Sequence, residues 1–223
     1  MAPRCQGSLF DGAGRLCFQA RSAVKRLKAA DPKLAAIIER VGPFRLRLEV
    51  ERGPYESLFE AVVYQQLSGR AAATILGRAK ALFEAGRFPT PREILDTPAD
   101  LLRTAGLSRP KIAALKDLAL KALGGGIPCH AALERMGDEE IVERLTEVRG
   151  VGRWTVEMLL IFRLGRPDVL PLQDYGLRRG FSVMLGRKAV ASPQQLARRG
   201  ERWRPFRTVA SWYLWRAAEG LAA

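Results

Sequence analysis

Apolar residues at helical spacing, cut by glycine and proline at short intervals, constrain this chain more than any other feature. They recur every three or four positions in Ala23–Ile38, Leu58–Phe83, Ala113–Leu123, Ile141–Val148 and Val156–Leu164, which is the period of one helix face. Breaks at Gly42-Pro43, Gly53-Pro54, Phe88-Pro89-Thr90-Pro91, Gly124 to Pro128 and Gly165-Arg166-Pro167 end these runs. Proline lacks the N–H that a helix needs, and glycine loses the most entropy on entering one. Starts are written as a capping residue with proline just behind it, at Asp31-Pro32, Thr97-Pro98, Ser108-Arg109-Pro110 and Ser192-Pro193. Only Phe44–Val50 alternates apolar with polar residues, as a strand or an extended connector would. Leu16–Gln19 is a candidate for a short strand. The expected class is all-α, with at most a short β element near the N-terminus.

A chain of 223 residues can form one large or two small hydrophobic cores. No repeat of fixed period and no low-complexity tail is present, and the glycine-rich step at 124–128 is too short for a domain linker. The net charge of +14 favours a polyanionic partner. Eight of the 37 basic residues are lysine, which leaves 29 arginines, and their planar forks suit phosphate oxygens. Nucleic acid is the favoured partner on charge. Cys5, Cys17 and Cys129 form no C-x-x-C pair, and His130 is the only histidine. Neither zinc nor an iron–sulfur cluster fits that set. His130 reads as a loop or cap residue. No run reaches the roughly 18 apolar residues of a membrane span, and the N-terminus has no apolar run of signal-peptide length. A cytoplasmic, nucleoid-associated location without membrane contact is expected.

The most informative local stretch is Thr146-Glu-Val-Arg-Gly-Val-Gly-Arg-Trp-Thr155. One helix ends at Arg149-Gly150-Val151-Gly152 and another starts at about Arg153. The first N–H groups of that second helix have no partner within it, so together with the helix dipole they form an anion site. A DNA phosphate fits there. An ordinary helix–turn–helix connection with a glycine cap would carry the same two glycines.

Downstream, Asp174 follows a proline-bounded stretch and precedes a helix at Tyr175–Phe181. An aspartate there is a good N-cap. It also lies 22 residues after Gly152, one helix and a return loop away. That separation lets the chain bring a carboxylate back toward the hairpin helix.

Val148-x-Gly150-Val151-Gly152 resembles the hairpin of the helix-hairpin-helix (HhH-GPD) DNA glycosylase superfamily. The stretch from there to Asp174-Tyr175 resembles its compact 3-methyladenine DNA glycosylase II type. Tyr64-Gln-Gln-Leu-Ser68 is similar to the family's Q-Q-(I/L)-S turn. Gly106-Leu-Ser-Arg-Pro-Lys-Ile-Ala-Ala-Leu115 is similar to its GLS-x-x-K-x-x-x-L helix start. Trp203-Arg-Pro-Phe-Arg207, leading on to Trp215, is similar to its W-x-P-(W/F)-R segment. Each motif alone is weak to moderate, but their joint order over roughly residues 20 to 218 is strong.

The resemblance implies two helical subdomains with a cleft between them, one formed by 1–54 and 165–223, the other by 55–164 with the hairpin at about 141–164. It implies a monomeric enzyme of base excision repair acting on damaged double-stranded DNA. Such an enzyme hydrolyses the N-glycosidic bond of 3-methyl- or 7-methyl-purine-type bases flipped from the duplex. Asp174 would be the catalytic carboxylate, with Trp154, Met158, Tyr175 and Trp215 as base-pocket walls. Plain core packing is the bland reading of each aromatic. The hairpin Gly150, Val151, Gly152, Arg153 and Thr155 would grip a phosphate. Gln66 and Leu67 would fill the gap left in the duplex. The backbone carbonyls of Thr146, Val148 and Val151 would hold a structural Na+ or K+, and no other cofactor is expected. Bifunctional relatives carry a Schiff-base lysine where this chain has Trp154, which implies no lyase activity. Larger relatives carry an extra N-terminal β domain, which this chain is expected to lack. Three alternatives stay open: a non-catalytic hairpin DNA-binding module, a superfamily glycosylase for oxidised or mismatched bases, and a purely structural helical domain.

Overall fold

The computed structural model describes residues 18–49 and 52–220. In chain order the helices are α1 (Phe18–Ala30), α2 (Pro32–Val41), α3 (Pro54–Tyr64), α4 (Gly69–Ala81), α5 (Pro91–Asp96), α6 (Ala99–Thr104), α7 (Arg109–Leu123), α8 (His130–Arg135), α9 (Asp138–Thr146), α10 (Arg153–Phe162), α11 (Tyr175–Met184), α12 (Pro193–Gly200) and α13 (Arg207–Ala218). No strand occurs among the described residues, so the fold is all-α. No described helix is long and apolar enough to cross a membrane.

Several local expectations are corrected. The candidate strand at Leu16–Gln19 enters the described residues only at Phe18, and there the chain is already helix. Phe44–Val50 is extended through Glu49 but pairs with no strand; Val50 lies outside the described residues. Its alternation buries Phe44 and Leu46, and Phe44 packs edge-on against Trp212 at 5.1 Å. As the Asp31-Pro32 start and the Q-Q-L-S turn imply, the run Ala23–Ile38 is two helices parted at Asp31, and Leu58–Phe83 is two parted at Gln65–Ser68. Asp31, Ser108 and Ser192 cap their helices with side-chain oxygens. Thr97 does not: its hydroxyl donates backwards to the Glu93 carbonyl at 2.6 Å and closes α5. Thr90, read only as part of a break, caps α5 in a reciprocal box with Glu93. His130 is the first residue of α8.

The chain divides into two compact units, Met1–Val50 with Leu160–Ala223, and Glu51–Leu159. Each is built around one central helix. In the first unit that helix is α13, whose residues Thr208 to Leu214 are all buried. A helix apolar nearly all round has to be wrapped by others, and α11 and α2 lie against it. In the second unit the centre is α7, which buries Ile112, Ala114, Leu115, Leu118 and Ala119 and packs against α3, α5 and α6.

In the first unit α11 and α13 approach closely. A Cβ on Gly180 would fall 1.8 Å from the Leu214 carbonyl oxygen, so only glycine lets the two backbones meet there. The loop into α11 is tied to the start of α13. Asp168 accepts from the Arg207 guanidinium at 2.8 Å and from Arg204 at 2.7 Å. Thr208 Oγ1 accepts the Val169 N–H at 3.0 Å and donates to the Arg166 carbonyl at 2.6 Å. Asp168 is thereby a structural clamp.

Candidate functional site

In the first unit the site begins at the N-terminus of α11. Asp174 caps it, and Oδ1 accepts the Leu177 N–H at 2.6 Å. The close seating of α13 brings Trp215 to the same oxygen, to which its indole N–H donates at 2.9 Å. The Trp215 ring stacks on Phe162 with centroids 5.8 Å apart and planes 25° apart. Gly176 leaves room for this pairing, since a Cβ there would meet Asp174 Oδ1 at 3.3 Å and Trp215 Cδ1 at 3.5 Å. Asp174 remains partly exposed, and Tyr175 beside it is 60% exposed. Two donors on one oxygen fix its orientation. A fixed, solvent-reachable negative charge of this kind can stabilise a developing cation and order a water.

The second unit holds the hairpin. Val148 and Val151 are buried and anchor the turn between α9 and α10. Gly150 adopts φ +77°, and a Cβ on it would lie 3.3 Å from the Ala114 side chain, so both conformation and space call for glycine. Gly152 is open, with nothing within 4 Å of a built Cβ. Its carbonyl accepts from the Thr155 and Val156 N–H groups as α10 begins. The Thr155 side chain is buried. The Arg153 guanidinium pairs with Glu139 and, at 3.3 Å, with Glu157. Arg153 is thus exposed but paired with carboxylates of the protein. Trp154 is 45% exposed on the first turn of α10, with Met158 four residues on along the same face.

The turn after α3 belongs to the same unit. Gln66 has φ +58° and is the only non-glycine residue with positive φ among the described residues. That conformation costs such a residue about 1 kcal/mol or more. Leu67 follows, 38% exposed. Gln65 Nε2 donates to the Gly150 carbonyl at 2.8 Å, joining this turn to the hairpin.

Sequence reasoning named Asp174 and Trp215 but not the bond between them; it gave Gln65 no role within its motif, and it missed Phe162 and the two glycines of α11. The spacing Gly176-x-x-x-Gly180 puts two small residues on one helix face and was the signal available for a close approach. Among the described residues, no group of three or more His, Cys, Asp or Glu is arranged to hold a metal ion.

An all-α chain with a glycine hairpin in one unit and a capped, indole-bound aspartate in the other fits one class, and comparison bears this out. The chain belongs to the HhH-GPD superfamily of base excision DNA repair proteins, whose pattern matches residues 59–205. It is similar to DNA-3-methyladenine glycosylase 1 of Schizosaccharomyces pombe, 40% identical over 194 residues that cover 86% of this chain and 85% of that protein. The solved structure of the S. pombe 3-methyladenine DNA glycosylase in complex with abasic DNA matches with a TM-score of 0.80, covering 87% of this chain and 95% of that one. A DNA-3-methyladenine glycosidase from Bacillus halodurans, 35% identical, also matches with a TM-score of 0.80 and covers 90% of each chain.

Proposed function

We propose that this chain is a DNA glycosylase that releases alkylated purines, of the 3-methyl or 7-methyl type, from duplex DNA. The observation that carries the proposal is Asp174, a partly exposed carboxylate held by the Leu177 N–H and the Trp215 indole. Water adds to C1′, the C1′–N bond breaks with its electron pair leaving on the base, and the proton of the water passes to solvent. Positive charge builds on the sugar in between, and the carboxylate stabilises it. Alkylation at N3 or N7 makes the base cationic and a better leaving group. Aromatic faces attract such a base through cation–π contact, and Trp154, Tyr175 and Trp215 are the rings assigned to it, with Met158 beside Trp154.

The hairpin of Gly150, Val151 and Gly152 takes a phosphate on the N–H groups opening α10. Gln66 and Leu67 fill the gap left by the flipped base. The carbonyls of Thr146, Val148 and Val151 are neutral oxygen donors in one turn, a set that suits Na+ or K+ rather than a softer metal. The enzyme works as a monomer. Trp154 offers no amine to attack C1′, so the reaction stops at the abasic site.

Base release from duplexes each holding one lesion tests this reading, with wild type compared to Asp174→Asn. Loss of release with DNA binding retained is expected; equal release by both would overturn it. Borohydride should trap no covalent adduct with DNA, and a trapped adduct would refute the hydrolytic mechanism.

A further inference from the structure

Two sequence motifs remain outside this chemistry: the first glutamine of Tyr64-Gln-Gln-Leu-Ser68, and the lysine of Gly106-Leu-Ser-Arg-Pro-Lys111. The structure brings both to the same place. Lys111 Nζ, on the first turn of α7, donates to the Val63 carbonyl at 2.6 Å, at the end of the helix that carries the Gln66-Leu67 turn. Burial holds this amine below its usual pKa. One turn further along α7, Ala114 sits beneath Gly150. A turn beyond that, Asp117 Oδ2 accepts the Arg149 N–H at 2.7 Å while Lys121 Nζ donates to both oxygens of the carboxylate. Residues 111, 114 and 117 repeat every three positions and so share one face of α7. The turn after α3 and the hairpin turn are both seated on that face, and Gln65 closes the figure by donating to the Gly150 carbonyl at 2.8 Å.

We propose that Lys111 and Gln65 are positioning residues that lock the Gln66-Leu67 turn to the phosphate-gripping hairpin as one preset piece. Gln66 sits in left-handed backbone, and such a residue keeps its conformation only where its surroundings over-determine it. Lys111 on one side and Gln65 on the other supply that restraint. A preset wedge enters the duplex at a fixed offset from the gripped phosphate, and no ordering cost is met at the moment of flipping. The inference rests on the reading that this protein flips bases out of duplex DNA.

The test separates insertion from chemistry. Single-turnover base release is measured for a lesion paired in an intact duplex, and for the same lesion opposite an abasic site, where little remains to be unpaired. Gln65→Glu removes the N–H donor at constant size, and Lys111→Met removes the ammonium and keeps the stem. Each should lower release from the paired duplex about tenfold while the pre-opened substrate changes by less than twofold. Enhanced fluorescence of 2-aminopurine beside the lesion, which reports unstacking without bond cleavage, should weaken in parallel. Equal losses on both substrates, or no loss on either, would overturn the proposal. If Lys111→Met fails to fold, Gln65→Glu carries the test, since Gln65 is partly exposed. A wild-type protein that releases no base from either substrate would overturn the glycosylase reading itself.

Discussion

Asp31 and Asp174 each cap a helix, and each accepts an indole N–H from the C-terminal segment, from Trp203 in one case and Trp215 in the other. Their surroundings then diverge. Asp31 has no exposed surface and takes both a 2.7 Å and a 2.5 Å bond from the Arg199 guanidinium. Its charge is taken up by these partners and joins α2 to α12. Asp174 sits at a helix mouth with part of its surface in solvent and Tyr175 exposed beside it. The same cap-and-indole unit thus makes a rivet where it is sealed, and a candidate reacting group where it is open.

The largest expected effect sharpens the open case. Asn caps as well as Asp, so Asp174→Asn should keep the helix and the thermal midpoint while base release falls by two orders of magnitude or more, the scale for a lost electrostatic group. The sealed case should invert this pattern. Asp31→Asn leaves Arg199 facing a neutral amide and should cost about 3 kcal/mol in urea unfolding, the lower part of the range for broken buried pairs because the Arg199 head is a quarter exposed. Base release per folded molecule should persist. If both variants lose stability and neither loses activity selectively, the comparison fails.

Acid should discriminate between the two proteins in the same direction. Burial works to raise the Asp31 pKa, but the bonds from Arg199, Trp203 and the Leu34 N–H outweigh it and leave the group below its ordinary value. The stabilisation is therefore complete above about pH 4, where an unfolded aspartate is ionised, and is lost as pH falls through the lowered folded value. Stability of the wild type should drop more steeply below pH 4 than that of Asp31→Asn; parallel curves would deny Asp31 this role. The smallest effect concerns the indole. Trp215→Phe keeps a ring against Phe162 and removes only the N–H donor to Asp174. A hydrogen bond to a charged group is worth about 1.5–3 kcal/mol, so base release should fall about tenfold, read as kcat with little change in KM.

The all-helical class was legible because cap and break signals act over a few residues. Asp31, Ser108 and Ser192 cap through their own side chains, so a local reading finds them. Thr97-Pro98 shows the limit: a helix starts there at Ala99, but Pro98 holds its cap position while the Thr97 hydroxyl turns to a carbonyl behind it and closes the helix before. The break at Gln65–Ser68 has no glycine or proline before Gly69, and apolar spacing continues across it from Val62 to Ala72, so spacing alone would run one helix through it and only the resemblance to a Q-Q-(I/L)-S turn marked it. What holds that turn lies 48 and 85 residues away in sequence, at Lys111 and Gly150. In the candidate site, the bond from Trp215 to Asp174 spans 41 residues and exists because two backbones meet at Gly180. No spacing along the chain reports such a meeting.

The four tryptophans also divide in two. Trp203 and Trp212 are enclosed in the core, while Trp154 is 45% exposed and Trp215 is partly exposed with its N–H on a carboxylate. In spectroscopic terms the molecule carries its own probes: two indoles emit from a dry, constant interior, and two emit from surfaces assigned to the flipped base. If the proposed assignment is right, a bound base should quench the second pair and leave the first unchanged, and unlabelled protein would then report binding in real time.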